Sequence, residues 1–175
     1  HTAPNGSIPG ELMTPTCILP TVYLSGAMEH VPDFGAGWRE AIVPKLAQLG
    51  YTVINPSKLN ELVMTDEEIK ALPGWKKTEP EKYTTVVRAL AGLDLRAACN
   101  SNVTLVKLDK AGAVSAGTHC EIAIAWYNQK HVVFWVDGVD MKDVPGFLHG
   151  IHHKLCFSEE EVLAHLRQFK DEVGT

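Results

Sequence analysis

The run His131-Val-Val-Phe-Trp-Val136 is apolar at almost every position. A strand with one wet face alternates apolar and polar side chains, so an unbroken run belongs in a parallel sheet covered by helices on both sides. Three further segments read as strands: Thr21-Val-Tyr-Leu-Ser-Gly26, Tyr51-Thr-Val-Ile-Asn55 and Val103-Thr-Leu-Val-Lys-Leu108, with a short fifth over Lys154–Phe157. Helical patterns fall between them. One spans Gly37 to Leu49 and stops at Gly50, with Pro44 expected to start, kink or break it. A capping box, Thr65-Asp-Glu-Glu68, opens a short helix ending near Pro73-Gly74, and a longer helix runs from Pro80 to about Ala98. Another follows from Gly117 to about Gln129, Asp137 to His153 reads as loop, and Ser158-Glu-Glu-Glu161 caps a final amphipathic helix. Strands alternating with helices predict an α/β fold, doubly wound, with a Rossmann/flavodoxin-like five-stranded parallel sheet.

A chain of 175 residues with 45% hydrophobic content can bury a core without disulfides or a structural metal. The reading is one domain over residues 21–175, preceded by a flexible extension over 1–20 that is rich in Pro, Gly and Thr. A net charge of −5 argues against a nucleic-acid polymer or an anionic membrane as the main partner. A small anionic metabolite needs only a local pocket. Cys17, Cys99, Cys120 and Cys156 lack the close spacing of zinc or redox motifs, and His119 beside Cys120 has no ligand partners at usable spacing. Neither a metal nor a cofactor is expected. Reduced thiols, with no apolar run of membrane length and no signal-peptide pattern, predict a cytoplasmic protein.

The stretch Ser115-Ala-Gly-Thr-His-Cys-Glu121 follows the third strand and opens a helix. Open α/β sheets bind ligands there, at the carboxyl ends of strands. Gly117 and Thr118 suit a tight turn and a helix cap that leave amide groups aimed into the loop. Glu121 is placed in the first helical turn, where the dipole favours its ionised form. Alone, such a pattern is ordinary capping chemistry. In a doubly wound fold, however, it converges with the turn Tyr23-Leu-Ser-Gly-Ala-Met28 and with the Asp94 region.

On these three pieces the chain resembles the nucleoside 2-deoxyribosyltransferase superfamily over roughly residues 21–166, and within it the nucleoside 5'-monophosphate N-glycosidases. The string Ser-x-Gly-Thr-His-x-Glu-Ile looks closest to the cytidylate and hydroxymethylcytidylate enzymes of that branch. The resemblance makes Glu121 the nucleophile at the anomeric carbon and Asp94, in Leu93-Asp-Leu-Arg96, the group that handles the proton on the base. It also brings in Tyr23 and Gly26. Ser115, six residues before the glutamate, matches a serine that contacts a 5'-phosphate where transferases of free nucleosides carry an aspartate. Gly117 and Thr118 would supply helix-start amides to the same group.

Two positions depart from the phosphate pattern: Ala27 and Glu29 stand where some nucleotide hydrolases offer Ser and Arg. Arg39, Arg96, His152 and His153 are candidates to compensate, the histidines arriving from the second subunit of a homodimer, as the superfamily completes its sites. Trp38 and Trp75 are candidates for base stacking. The resemblance implies hydrolysis of a nucleoside 5'-monophosphate to free base and sugar phosphate. The alternatives are 2-deoxyribosyl transfer between free nucleosides and a silent nucleotide sensor.

Overall fold

The computed structural model describes residues 19–29 and 31–173, so positions 1–18 of the expected extension lie outside the described residues. Five strands form one sheet in which every pairing is parallel. In chain order they are β1 (Thr21–Gly26), β2 (Thr52–Ile54), β3 (Val103–Leu108), β4 (His131–Val136) and β5 (Lys154–Cys156), and their spatial order is β2-β1-β3-β4-β5. This is the flavodoxin-like order, whose direction of winding reverses between β1 and β3. The helices are α1 (Ala36–Gln48), α2 (Pro56–Asn60), α3 (Asp66–Thr78), α4 (Pro80–Asn100), α5 (Ala116–Tyr127) and α6 (Glu159–Val173).

Successive strand side chains point to opposite faces, and both faces are packed. Val22, Leu24, Val103, Leu105 and Val133 meet Ile42 and Leu46 of α1 and Val162 and Leu166 of α6. Val106, Leu108, Val132 and Phe134 meet Ile122 and Ala125 of α5. The same period of two leaves Tyr23 and Ser25 on the α5 side of β1, both fully buried.

The structure moves several expected boundaries. Helix α1 runs through Pro44, which sits on its exposed side, where the carbonyl one turn back can turn to water. Pro56 does more than close β2; it starts α2, with Asn55 as cap accepting from the Ser57 amide at 3.0 Å. Helix α3 continues past Pro73-Gly74 to Thr78. Proline deletes one helical hydrogen bond there, and burial of Trp75 just beyond it, with the Lys82 ammonium 3.6 Å over its ring, outweighs that loss. Between β4 and β5 the loop forms two 3-10 turns, Met141–Asp143 and Gly146–Gly150, whose Val144, Leu148 and Ile151 cover the sheet in place of a helix.

Arg39 is the largest fully buried side chain. Its guanidinium donates to the carbonyls of Leu24 (3.3 Å), Gly26 (2.9 Å) and Gly35 (2.7 Å), tying the end of β1 to the start of α1. Gly35 adopts φ 70°, and a Cβ there would lie 2.3 Å from Arg39 Nη1, so glycine is needed for both backbone and space.

Candidate active site

Helix α5 starts just beyond the reversal between β1 and β3. Its cap is Ser115, whose hydroxyl accepts from the Thr118 amide at 3.3 Å and the Thr118 hydroxyl at 3.0 Å. The helix therefore begins one residue earlier than expected, and the cap is Ser115, not Thr118. The amides of Ala116 and Gly117 have no helical acceptor and line a cavity of about 410 Å³.

Glu121 is in the second turn of α5, beyond the reach of the helix-start dipole, so the expected dipolar ionisation does not hold. Burial instead pushes its pKa up to about 7, and the neighbouring Asp94 carboxylate adds to the shift. Two hydroxyls hold it in place. Tyr23 Oη donates to Oε1 at 3.0 Å and Ser25 Oγ donates to Oε2 at 2.5 Å. Both hydrogen bonds, with the buried Arg39 charge, act in the opposite direction and favour the carboxylate.

Asp94 faces the same cavity from α4. Burial raises its pKa to about 6, opposed by Tyr23 and Arg39, and its Oδ1 is buried with no hydrogen-bond partner among the described residues. Tyr23 donates to Glu121 in this geometry. The two carboxyls titrate as a pair with values of about 6 and about 7, and between them the pair holds one proton and one negative charge.

The structure thus brings together Tyr23, Gly26, Asp94, Ser115, Gly117, Thr118 and Glu121. It does not bring His152 and His153 to them within the chain. The His153 amide donates to the Val132 carbonyl at 2.8 Å and its Nδ1 accepts from the Val132 amide at 3.0 Å, at the starting end of β4. Its ring packs on Trp126 at 4.6 Å, and the His152 ring on Phe134 at 5.1 Å. That end of the sheet is opposite the cavity. Nor are the stacking candidates in place: Trp38 packs edge-on against Trp135 at 6.2 Å and Trp75 lies under Lys82. Arg39 points to backbone carbonyls and is closed to any ligand. Arg96 is exposed on α4 and is not among the cavity's lining residues.

Ser25 is the residue that sequence reasoning missed. Its signal was available, since it stands two positions after Tyr23 on one strand face. Asn60, at the end of α2, was also missed; it is 9% exposed, lines the cavity and has a buried Oδ1 without a partner among the described residues.

No protein-family model matches the chain, and no curated protein matches it. Solved structures do. A 2-deoxyribosyltransferase from Bacillus psychrosaccharolyticus is similar over 82% of this chain and 90% of its own, at 15% identity and a TM-score of 0.58. A conserved protein from Enterococcus faecalis is similar over 87% of this chain and 99% of its own, at 16% identity and a TM-score of 0.56. The CMP N-glycosidase BcmB from Clostridium botulinum covers 83% of this chain and 97% of its own at 18% identity, but its TM-score of 0.46 is too low to bear on the chemistry. The first two correspondences establish a shared fold.

Because folding raises the Glu121 pKa from 4.5 to about 7, its contribution to stability is full below 4.5 and lost as pH rises through 7. Glu121→Gln, which cannot ionise, should therefore be more stable than the native protein at pH 8, by on the order of 1–3 kcal/mol. The gap should shrink as pH falls toward 4.5. Urea denaturation at pH 5 and pH 8 reads it, and a variant equally destabilised at both would refute the assignment of a strained buried carboxylate.

Proposed function

We propose that the protein breaks the N-glycosidic bond of a nucleoside-type substrate, with Glu121 as nucleophile and Asp94 as acid. One observation carries this reading: a cavity in which a largely buried carboxylate is held by two hydroxyls, facing a second carboxyl whose Oδ1 has no partner among the described residues. Paired carboxylates are what glycoside cleavage requires. Hydrogen bonds from Tyr23 and Ser25 fix both oxygens of Glu121, so an attacking lone pair is aimed without a change of rotamer.

In the first step the bond from the anomeric carbon to the base nitrogen breaks, and its electron pair leaves with the base. Asp94 gives that nitrogen, or another on the ring, a proton. A Glu121 oxygen bonds to the anomeric carbon as cleavage proceeds. In the second step an acceptor attacks that carbon, Asp94 takes the acceptor's proton, and Glu121 leaves as carboxylate. Water as acceptor makes the reaction hydrolysis, and a second base makes it glycosyl transfer.

The charge of the cavity favours an uncharged nucleoside. Its carboxylate-bearing lining residues are Asp94, Glu121 and Glu29, the last paired with Lys76 at 3.2 Å, and among the described residues no Lys, Arg or His lines it. A phosphate dianion would meet acids there, against helix-start effects of about 0.3–1 kcal/mol each. Hydrolysis of a 5'-monophosphate is the second reading, favoured by Ser115 and the first-turn amides of α5.

Glu121→Ala is expected to lower release of free base, read by chromatography, at least ~10³-fold without unfolding the protein. Asp94→Asn should cost on the order of 10²-fold or more with a poor leaving base and much less with an activated one. Equal losses on both would remove Asp94 from proton delivery.

The rate should peak between the two raised pKa values, about 6 and about 7, where the pair holds one proton. Acid adds a second proton to the pair and base removes the first. A rate that climbs to a plateau above pH 8 would contradict this, since the pair has no proton to give there.

Matched pairs of nucleoside and 5'-monophosphate separate the two substrate readings. The native protein should process the nucleoside at least as well as the monophosphate, and Ser115→Asp should spare the nucleoside while depressing any monophosphate activity. A clear monophosphate preference, abolished in Ser115→Asp, would replace the first reading by the second.

A further inference from the structure

The cavity extends well past the carboxylates. On α4 its lining residues recur at Tyr83, Val87, Leu90 and Asp94, a helical stripe of about three turns, or roughly 16 Å at 1.5 Å per residue. Asp94 marks one end of the stripe. Met64, in the link before α3, and Ile69 and Leu72 of α3 also line the cavity, so most side chains away from the reacting end are apolar. The exceptions are the Glu29 carboxylate, paired with Lys76 beside Tyr83, the Tyr83 hydroxyl and the Asn60 amide, which is nine-tenths buried with its Oδ1 unpartnered among the described residues.

We propose that this remote chamber binds an apolar substituent on the leaving base, and that Asn60 orients the base by hydrogen bonding to it. The proposal rests on the N-glycoside reading above, because that reading fixes which end of the substrate lies here. Asp94 protonates the base, so the base stands against α4 and whatever it carries extends along the stripe toward Tyr83. The sugar stands on the other side, under Ser115 and Gly117. A bare nucleobase presents several polar edge atoms and would leave most of them facing Met64, Ile69, Leu72, Val87 and Leu90 without partners, which is costly. An aryl or alkyl group in the same place removes apolar surface from water, and a single amide in an apolar wall supplies orientation.

The test uses adenosine, cytidine and their 2'-deoxy forms, each beside its derivative with a benzyl group on the exocyclic amine. Base release is followed with the native protein, and binding by calorimetry with Glu121→Gln. The benzyl compounds are expected to bind and react at least ~10-fold better than their parents, since one methylene in an apolar pocket already gives about 10-fold. Leu72→Asp and Leu90→Ser should shrink that ratio toward one, and Asn60→Leu should weaken binding of the benzyl compounds. Two replacements on different helices guard against one that merely unfolds. Base release from all compounds with no benzyl preference would overturn the chamber and leave the N-glycoside reading standing. Tight benzyl-dependent binding without base release from any compound would support the chamber and sink the reaction.

Discussion

The candidate site depends on the contact between β1 and Glu121. A carboxylate taken out of water is costly unless donors replace its hydration, and here the donors are two hydroxyls on one face of a strand. Tyr23 and Ser25 reach the same group because strand side chains repeat every two residues. The replacement is incomplete, and the pKa of about 7 measures the shortfall. A carboxylate solvated well enough to lose its strain would also be a poorer nucleophile, so the stability forgone at neutral pH and the proposed reactivity have one cause.

The fold makes that contact available by reversing its winding between β1 and β3, which opens a gap over the strand ends where α5 begins. Arg39 then keeps the gap in shape. Its three carbonyl acceptors join the last residues of β1 to the entrance of α1, and Gly35 leaves room for it, while a Cβ on Gly26 would crowd Trp38 at 3.1 Å and Lys107 at 3.3 Å. The guanidinium also places a positive charge behind the carboxyl pair without offering it to a ligand. It lowers both acid pKa values and still leaves them raised.

The parallel sheet was legible because β3 and β4 are apolar on both faces, a pattern with few other solutions. Glu121 and Asp94 were legible through their motifs, and Tyr23 through its place on the first strand. What escaped the sequence were decisions made by tertiary packing. Pro73-Gly74 reads locally as a stop, and only the burial of Trp75 explains why α3 continues. Within the chain, strand register places the histidines at 152 and 153 at the far end of the sheet, so only a second subunit could bring them to the site, as the resemblance implies. Arg39 looked available because sequence carries no sign of which way a long side chain turns. The cap was misplaced by one turn position because Ser115 and Thr118 both suit the role, and only geometry distinguishes the acceptor from the donor.

The sign of the cavity's charge bears on the chemistry itself. Cleavage of an N-glycosidic bond builds positive charge on the sugar, and the stabilising environment is a fixed negative field with little water. Among the described residues the walls near the reacting end supply two carboxyl groups and no cation, while the one nearby guanidinium is spent on backbone carbonyls. With one proton on the pair, the reacting end carries one negative charge beside one neutral acid, the distribution that a cationic transition state requires. A second proton would erase the field, and loss of the first would leave the departing base without its donor. The same arrangement that disfavours a bound anion therefore favours a cationic transition state, so in the proposed reaction the preference for an uncharged substrate and the lowering of the barrier would follow from one electrostatic feature.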